Sequence, residues 1–223
     1  MARIGIGNVG KYQGGNNGGY FTLADDGDSA TVRFLYNQPD GSDIDFYLVH
    51  EIEIEGKRRY VSCNAVDDEG NMHPDDCPLC KSGNKPKEKL FLQLVEESDV
   101  NTVKVWERGS KFVAKIVTYL NKFGDLSSIP IEIVRRGKKG DTGTQYEFLP
   151  GAPDGKSLKD FAQKHEIEGS MVIKASKQDM IDMLNNNYST GSNKTQQNQQ
   201  PTYTNNYTPR QNRGSRTTST DVF

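Results

Sequence analysis

Most hydrophobic residues of this chain occur in short runs of alternating apolar and polar positions, separated by turn-forming residues. Alternation with a period of two is typical of half-buried β-strands. The pattern predicts strands at residues 30–36, 46–54, 58–63, 90–95, 102–106, 129–134 and 144–149. Glu55, Gly56 and Lys57 form a tight turn between the second and third strands, so these two strands should pair antiparallel.

A helical period occurs once at length, over residues 111–123, between the candidate N-cap Ser110 and the stop signal Gly124. Shorter helices are predicted at residues 158–165 and 177–184, the second capped by Ser176. Several short strands, one late helix and no long βαβ unit predict a mainly β fold with α additions. An OB-like β-barrel suits this element order best.

The two ends of the chain differ from its middle in composition. Residues 1–19 are rich in Gly and Asn and predict a flexible N-terminal arm. Residues 185–223 are mostly Asn, Gln, Thr, Ser and Tyr, which bury too little surface to offset the entropy of ordering them. We therefore expect one domain at residues 20–184, followed by a disordered polar tail.

Composition and apolar run lengths argue against a membrane or secreted protein. No apolar run approaches the roughly 18 residues of a membrane span, and the first residues lack the apolar segment of a signal peptide. The three cysteines are an odd number and are clustered, which suits a reducing compartment better than a disulfide framework. The expectation is a cytoplasmic protein with no membrane partner.

The net charge of −2 conceals a strong segregation of charge along the chain. Residues 104–139 hold nine Lys and Arg against three Asp and Glu, and residues 185–223 hold four against one. A basic pole on an acidic body can attract a polyanion to one surface. Net charge alone therefore does not exclude nucleic acid as a partner.

The stretch from residue 50 to residue 80 holds all the cysteines in the order His50-x12-Cys63-x13-Cys77-Pro-Leu-Cys80. Three thiolates and one imidazole are a standard ligand set for a closed, structural zinc site. Ordinary buried thiols or a C-x-x-C redox pair are the alternatives, although a redox pair expects a βαβ context and gives Cys63 no role. One structural Zn²⁺ is therefore predicted, and the insertion would form a zinc subdomain of the barrel.

Two histidines compete for the fourth position of this site. A hairpin centred near Gly56 pairs residues whose numbers sum to 112 or 113, which would bring His50 almost opposite Cys63. His73 lies only four residues before Cys77 and could instead be a solvated loop histidine. The hairpin geometry favours His50 and leaves His73 as the alternative.

Basic and aromatic residues are interleaved on several predicted strands and on the long helix. Proteins that bind single strands combine a basic groove with aromatic faces on which bases stack. Taken alone, Trp106 is also typical of a core residue, and the helix lysines are also typical of a solvated face. The candidate contact residues are Arg58, Arg59, Tyr60, Lys104, Trp106, Arg108, Lys111, Lys115, Arg135, Arg136, Lys138, Lys139 and Tyr146.

Motifs for catalysis are missing from the sequence. It has no GxSxG, no P-loop and no HExxH, and no histidine lies in a context that suggests a nucleophile partner. A zinc with four protein ligands also leaves no open position for a water molecule. We expect a binding protein and not an enzyme.

His50-x12-Cys63 followed by Cys77-Pro-Leu-Cys80, between OB-like strands, resembles the zinc subdomain of the T4-type bacteriophage single-stranded-DNA-binding proteins. Residues 50–149, which include Val-Trp-Glu-Arg-Gly and Arg-Arg-Gly-Lys-Lys-Gly-Asp, are also similar to single-strand-binding proteins of other tailed phages. The resemblance implies that His50, Cys63, Cys77 and Cys80 bind zinc. It also implies a phage protein in the cytoplasm of the infected bacterium that binds single-stranded DNA in replication, recombination and repair.

Both ends of the chain depart from this family pattern. Residues 1–19 hold only Arg3 and Lys11, whereas the T4-type proteins have a basic N-terminal segment for cooperative binding. The family uses an acidic C-terminal tail to recruit replication proteins, whereas this tail ends Thr-Asp-Val-Phe with a single acid and three arginines upstream; Phe223 remains a candidate recruiting tip for phage replication proteins. The alternatives to single-strand binding are a zinc-stabilised adaptor and an accessory subunit of a replication or nuclease complex.

Overall fold

The computed structural model describes residues 19–67 and 70–188. The fold of these residues is mainly β, as the alternating pattern predicts, and each predicted strand is present. The strands are β1 Ser29–Phe34, β2 Phe46–Ile54, β3 Lys57–Ser62, β4 Lys87–Glu96, β5 Asp99–Gly109, β6 Ile131–Arg136, β7 Gln145–Pro150 and β8 Val172–Ile173. The helices are α1 Pro78–Lys81, α2 Lys111–Phe123 and α3 Lys177–Leu184.

Strand β4 joins the two halves of the sheet. It pairs along most of its length with β5, while its other edge pairs with β2 at residues 87–90 and with β1 at residues 94–96. The strand order is β7-β6-β1-β4-β2-β3-β8, with β5 on the second edge of β4. All pairs are antiparallel except β3 with β8.

The sheet is open in the described ranges, because no strand pairing there joins β7 at one end of the order to β8 at the other. The closed barrel is therefore not established by the strand pairing. On the outer edge of β7, the carbonyl oxygens of Tyr146 and Phe148 accept hydrogen bonds from the side chains of Lys115 and Tyr119 on α2. Helix α2 thus occupies the edge where a further strand would pair.

The main hydrophobic core lies between β1, β4, β5, β6 and α2. It includes Phe34, Leu92, Trp106, Ile116 and Leu120, all at most 1% exposed. The apolar stripe of α2 faces this core as its period predicts, and Gly124 ends the helix with a φ of 78°, which glycine adopts without steric cost. The side chain of Ser110, however, makes no capping hydrogen bond.

The prediction of a helix at residues 158–165 is wrong beyond its first turn. Only a 3-10 turn forms, at Leu158–Asp160. The chain then becomes extended, because Phe161 packs on Leu35, Val95 and Val103 of the sheet and the Ala162 N–H donates to the Val100 carbonyl oxygen. Contacts with the sheet override the weak local helical preference.

Helix α3 forms at its predicted bounds. Ser176 caps it, and Ser176 and Asp179 form a reciprocal capping box. The chain beyond Tyr188 and the arm before Gly19 lie outside the described residues, as do the candidate tip Phe223 and residues 68 and 69. No helix in the described ranges is both long and apolar enough to cross a membrane.

Candidate metal centre and nucleic-acid interface

Four side chains converge on one point at the end of the β2–β3 hairpin. His50 lies on β2, Cys63 directly follows β3, Cys77 precedes α1 and Cys80 lies within α1. Their ligand atoms all lie within 4.8 Å of one another. The structure therefore brings together all four predicted ligands in a group that can hold a single metal ion.

The register of the hairpin differs slightly from the predicted one. Glu55 and Gly56 form a two-residue turn, both with positive φ, and Ile54 pairs with Lys57. Paired residues therefore sum to 111, so His50 lies opposite Val61, and the Cys63 N–H donates to the Leu48 carbonyl oxygen. His50 and Cys63 are diagonal neighbours on the same face of the hairpin, which still places them at one site.

The Cys77–Cys80 knuckle has a geometry that suits thiolate ligands. Pro78 begins α1, and backbone N–H groups of Asn64, Leu79 and Cys80 donate to the Cys77 sulfur. Hydrogen bonds of this kind stabilise the negative charge of a thiolate. The local sequence therefore builds a pocket in which Cys77 can bind a metal cation as a deprotonated thiolate.

Three of the six distances between the ligand atoms match those of a tetrahedral centre. With metal–sulfur bonds of about 2.3 Å and a metal–nitrogen bond of about 2.0 Å, tetrahedral corners lie about 3.8 Å apart for two sulfurs and about 3.5 Å apart for sulfur and nitrogen. The Cys63 and Cys80 sulfurs are 3.7 Å apart. His50 Nε2 lies 3.4 Å from the Cys77 sulfur and 3.6 Å from the Cys80 sulfur.

No disulfide joins Cys63, Cys77 and Cys80 in this structure. A disulfide requires sulfurs about 2.0 Å apart, and Cys63, Cys77 and Cys80 are all free thiols. The group also uses Cys63 and His50, for which a C-x-x-C redox pair has no role. A closed centre of three sulfurs and one imidazole is a structural arrangement, because no position remains open for a reacting water.

The protonation of the four groups responds to burial and to their neighbours. Burial raises the pKa of Cys77, but the three backbone N–H groups outweigh it and leave that pKa lowered. Burial, with the nearby Cys63 thiol, raises the pKa of Cys80 to about 12. Burial also lowers the pKa of His50 and so favours the neutral imidazole. Metal binding would therefore release protons from the thiols. His50 would release none, because its imidazole is already neutral.

His73, the competing ligand, lies away from this centre. Its side chain is half exposed, and Nε2 lies 2.8 Å from Asp67 Oδ2. The backbone N–H of His73 donates to the Ala65 carbonyl oxygen, which fixes the base of the loop. The geometry thus favours His50, and His73 shapes the loop between the cysteines.

The metal group is packed inside a small core of its own. His50 and Cys77 are fully buried, and Val61, Leu79 and Met180 pack around the cysteines. Met180 of α3 places its sulfur 3.8 Å from the Cys77 sulfur. Tyr188, at the end of the described chain, also packs against this core. Helix α3 therefore depends on the same centre as the hairpin.

Several predicted nucleic-acid contacts are engaged in ion pairs. Arg58 pairs with Glu51, and Lys104 Nζ lies 2.6 Å from Glu96. Arg136 makes two hydrogen bonds to Glu147, at 3.1 and 3.0 Å. These cations would have to exchange a carboxylate for a phosphate, so each would contribute less to binding than an unpaired cation.

Two more predicted contacts lie mainly inside the fold. Tyr60 is 9% exposed and donates to Glu107 Oε1 at 2.6 Å, and burial with this bond raises its pKa to about 12. Arg135 is also 9% exposed and donates to the carbonyl oxygens of Leu23, Gly137 and Lys138. Arg135 therefore shapes the β6–β7 turn.

Three other cations of the predicted interface are exposed and lie in the β6–β7 turn and at the start of α2. Lys138 and Lys139 lie exposed in the turn that Arg135 shapes, and Lys111 lies exposed at the first position of α2. Arg59 is half-buried on β3, and its Nε and Nη1 atoms are buried without a hydrogen-bond partner in the described chain.

A cation–aromatic cluster, formed by Trp106, Arg108, Phe112, Lys115 and Tyr146, lies where β5, α2 and β7 meet. The Arg108 guanidinium lies 4.0 Å from the centre of the Trp106 ring, and 4.4 Å from that of Tyr146. Burial lowers the pKa of Arg108 to about 10, against opposing effects of Tyr146 and Glu107. A cation held this way benefits from the ring faces but lacks a counter-ion.

This cluster has more donors than acceptors. In the described chain, no carboxylate lies within 4.0 Å of the cationic nitrogens of Arg108, Lys111 or Lys115. Arg108 Nε and Trp106 Nε1 are buried without a hydrogen-bond partner there. Trp106 itself is 1% exposed, so it supports the cluster from the core. The electrostatics of this surface favour an incoming anion.

An apolar groove runs beside the cluster, and the sequence did not indicate it. Its volume is about 1030 Å³. Its walls come from β2, the loop between Cys63 and Cys77, the start of β4 and the start of α2. Phe46 is 42% exposed and Met72 is 46% exposed in this region. The groove lining includes Phe46, Leu48, Val66, Met72, Lys87, Lys111 and Phe112.

One signal in the sequence could have located the groove. Phe46 and Leu48 have the same parity on β2 as His50, so all three project from the same face of the strand. The metal centre and the groove are thus consecutive on one sheet face. No local sequence pattern indicates that α2 and the loop between Cys63 and Cys77 leave a gap over this face of the sheet.

Comparison with known proteins does not assign the chain to a family. No protein-family model matches the sequence, and no curated protein matches it.

Proposed function

We propose that the protein is a non-enzymatic binder of single-stranded nucleic acid that holds the strand in the apolar groove, with its phosphates toward the cation–aromatic cluster. One observation carries the proposal: an open groove with an exposed aromatic ring adjoins cations that have no carboxylate partner. Phe112 belongs to both, since its ring lines the groove and lies 5.6 Å from the Arg108 guanidinium.

The chemistry of the groove suits unpaired bases. Bases present apolar, polarisable faces whatever their identity, and stacking on an aromatic side chain contributes roughly 1–3 kcal/mol per base. A duplex hides these faces between its own base pairs and offers only grooves and phosphates. Phe46 and Met72 would therefore favour a single strand, without a preference for sequence.

The cations beside the groove are suited to contact the phosphate groups of the strand. Lys111 is exposed at the N-terminus of α2, where the helix dipole adds to its positive charge. Arg108 and Lys115 lie nearby and have no ion-pair partner to displace in the described chain. Phosphate contacts of this kind release counter-ions, so binding should weaken steeply as salt increases.

The metal belongs to this function as a structural part. We assign the centre to one Zn²⁺, because three thiols and an imidazole at tetrahedral spacing are its preferred closed ligand set. The bound ion would fix residues 63–80, and with them Val66 and Met72 in the groove wall. Zinc would thus shape the binding surface and take no part in a reaction.

The wider context is part of the same proposal. An OB-like barrel is proposed from the element order. A place among the tailed-phage single-strand-binding proteins, and work in phage DNA replication, recombination and repair, are proposed from the resemblance of residues 50–149. The predominance of β-strands and the apolar groove support that proposal. Recruitment of replication proteins through the tail belongs to the same set of proposals.

The function is tested by removing the exposed ring from the groove. Phe46→Ala should weaken binding of oligo-dT by about 5- to 150-fold, which corresponds to the stacking of one base. Ile181→Ala is a matched control, because Ile181 is 41% exposed on α3 and does not line the groove. The measurement is fluorescence anisotropy of labelled oligo-dT. Equal affinities of the two variants would argue against the groove as the binding site.

A zinc-stabilised adaptor is the second candidate, because the exposed apolar groove is also suited to a peptide. Peptide binding by apolar contacts changes little with salt, whereas phosphate contacts are strongly salt-dependent. Lys111→Ala therefore separates the two candidates in the same experiment. It should reduce the salt dependence of oligo-dT binding by about one phosphate contact.

A further inference from the structure

Asn84 lies directly behind the metal centre, three residues past the end of α1. The Gly83 N–H donates to the Cys80 carbonyl oxygen, and the Asn84 N–H donates to the Leu79 carbonyl oxygen. These bonds wrap the chain around the end of the knuckle. They place the Asn84 side chain, which is half-buried, between the His50 ring and the backbone of β2.

The amide of Asn84 makes two directed contacts. Its Nδ2 donates to the Glu51 carbonyl oxygen at 3.0 Å, and its Oδ1 lies 3.3 Å from His50 Nδ1. A carbonyl oxygen can only accept, so the Glu51 contact fixes which end of the amide is the donor. Oδ1 must then face the imidazole, and Oδ1 can only accept as well.

These contacts determine the tautomer of His50. An acceptor facing Nδ1 requires the proton to be on Nδ1, which leaves the lone pair on Nε2. Nε2 is the atom that lies 3.4 and 3.6 Å from the sulfurs of Cys77 and Cys80. The backbone of residue 51 thus orients Asn84, and Asn84 orients the imidazole.

We propose that Asn84 is the positioning residue of the metal centre: it holds His50 in the Nδ1–H tautomer, with Nε2 directed at the ion. The inference rests on the metal centre of the proposed function and deepens it. Asn84 touches no ligand atom of the three cysteines and lies outside the Cys/His motif. Partners that orient a metal-bound imidazole typically change metal affinity by about 10- to 100-fold.

Two variants separate positioning from packing. Asn84→Leu keeps the size of the side chain and removes both contacts, and it should weaken zinc binding by about 10- to 100-fold. Asn84→Asp retains an acceptor for His50 Nδ1 but loses the donor to the Glu51 carbonyl oxygen, so it should recover only part of that loss. Ser82→Ala is the matched control, because Ser82 Oγ donates to the Leu79 carbonyl oxygen in the same turn without touching His50.

Zinc affinity is measured on the full chain by competition with a chromogenic chelator, without nucleic acid. A long-range ¹H–¹⁵N NMR spectrum of the wild-type zinc-loaded protein reports the tautomer directly and needs no variant. The expected result is a protonated Nδ1 and a metal-bound Nε2. A metal-bound Nδ1 would overturn the proposal, and so would Asn84→Leu binding zinc as tightly as Ser82→Ala.

Failure of this inference is distinguishable from failure of the proposed function. If the wild-type chain takes up no zinc, the metal centre and the role of Asn84 both fail, but oligo-dT binding is measured separately. If zinc binds and oligo-dT does not, the role of Asn84 stands while the nucleic-acid proposal fails.

Discussion

Replacement of Cys77 by serine is expected to abolish stoichiometric metal binding and to lower the free energy of unfolding by more than about 4 kcal/mol. Cys77 is fully buried, and three backbone N–H groups donate to its sulfur. Its sulfur also contacts His50 and Met180, so the centre joins the hairpin to α3. Serine is too poor a ligand to hold the ion there.

Metal analysis and chemical denaturation, each with and without a chelator, measure this effect. The chelator should destabilise the wild-type protein and leave Cys77→Ser unchanged. His73→Ala is the matched control, because His73 lies in the same loop but is half exposed and paired with Asp67. The account of the centre is wrong if Cys77→Ser keeps one ion per chain, or if His73→Ala loses it.

Replacement of Arg33 by methionine is expected to cost about 3 kcal/mol of stability. Arg33 is 1% exposed, pairs with Glu97 and Asp154, and donates to the Ser127 carbonyl oxygen at 2.9 Å. Breaking a buried ion pair costs about 3–5 kcal/mol. The two carboxylates are about a third exposed and can be solvated again, which places the loss at the lower end.

Acid titration of this variant gives a second readout. The Arg33 guanidinium lowers the pKa of Asp154 from its ordinary 3.8 to about 2. The stabilisation is therefore complete above the ordinary pKa of Asp and is lost as the pH falls through the folded value. Denaturation midpoints of wild type and Arg33→Met should converge as the pH falls from about 5 to about 2.

Arg136→Met is the control for the Arg33 prediction. Arg136 and Glu147 form an ion pair that is half exposed at both ends. Exposed pairs contribute at most about 1 kcal/mol, so this variant should behave nearly as the wild type. A loss at Arg33→Met no larger than that at Arg136→Met would contradict the structural role assigned to the buried guanidinium.

The convergence of the four candidate metal ligands could be predicted because their constraints are local. Cys77 and Cys80 are joined by a four-residue knuckle, and His50 and Cys63 lie on two strands with a tight turn between them. The predicted register was wrong by one or two residues, since Glu55 adopts a positive φ and shortens the turn to two residues. The predicted site is unaffected by this error, because the register shift makes His50 and Cys63 diagonal neighbours and leaves both side chains on one face of the hairpin.

Local sequence patterns could not predict the groove. They also could not predict which cations are buried or paired with carboxylates. Whether Lys104 faces a carboxylate or a phosphate depends on Glu96, which the β4–β5 register places beside it. The burial of Arg135 depends on carbonyl oxygens of its own turn and of Leu23, more than a hundred residues away. Long-range pairing thus divides a uniform set of basic residues into structural and available ones.

The exposure of the aromatic residues also depends on long-range packing. Trp106 has the neighbours of a base-stacking residue in sequence, yet it is 1% exposed and supports Arg108 from the core. Phe46 has no basic neighbour in sequence and is 42% exposed in the groove. Interleaving of charge and aromaticity along a strand therefore does not indicate which aromatic ring is exposed.

Binding of the wild-type protein to single-stranded oligo-dT, compared with a duplex of equal length over a salt series, decides whether the protein is a single-strand binder. We expect micromolar or tighter binding to oligo-dT that weakens with salt, with a slope near −0.7 per phosphate contact, and at least about ten-fold weaker binding to the duplex. Equal affinity for both, or no salt-sensitive binding of oligo-dT at micromolar protein, would contradict the proposed function.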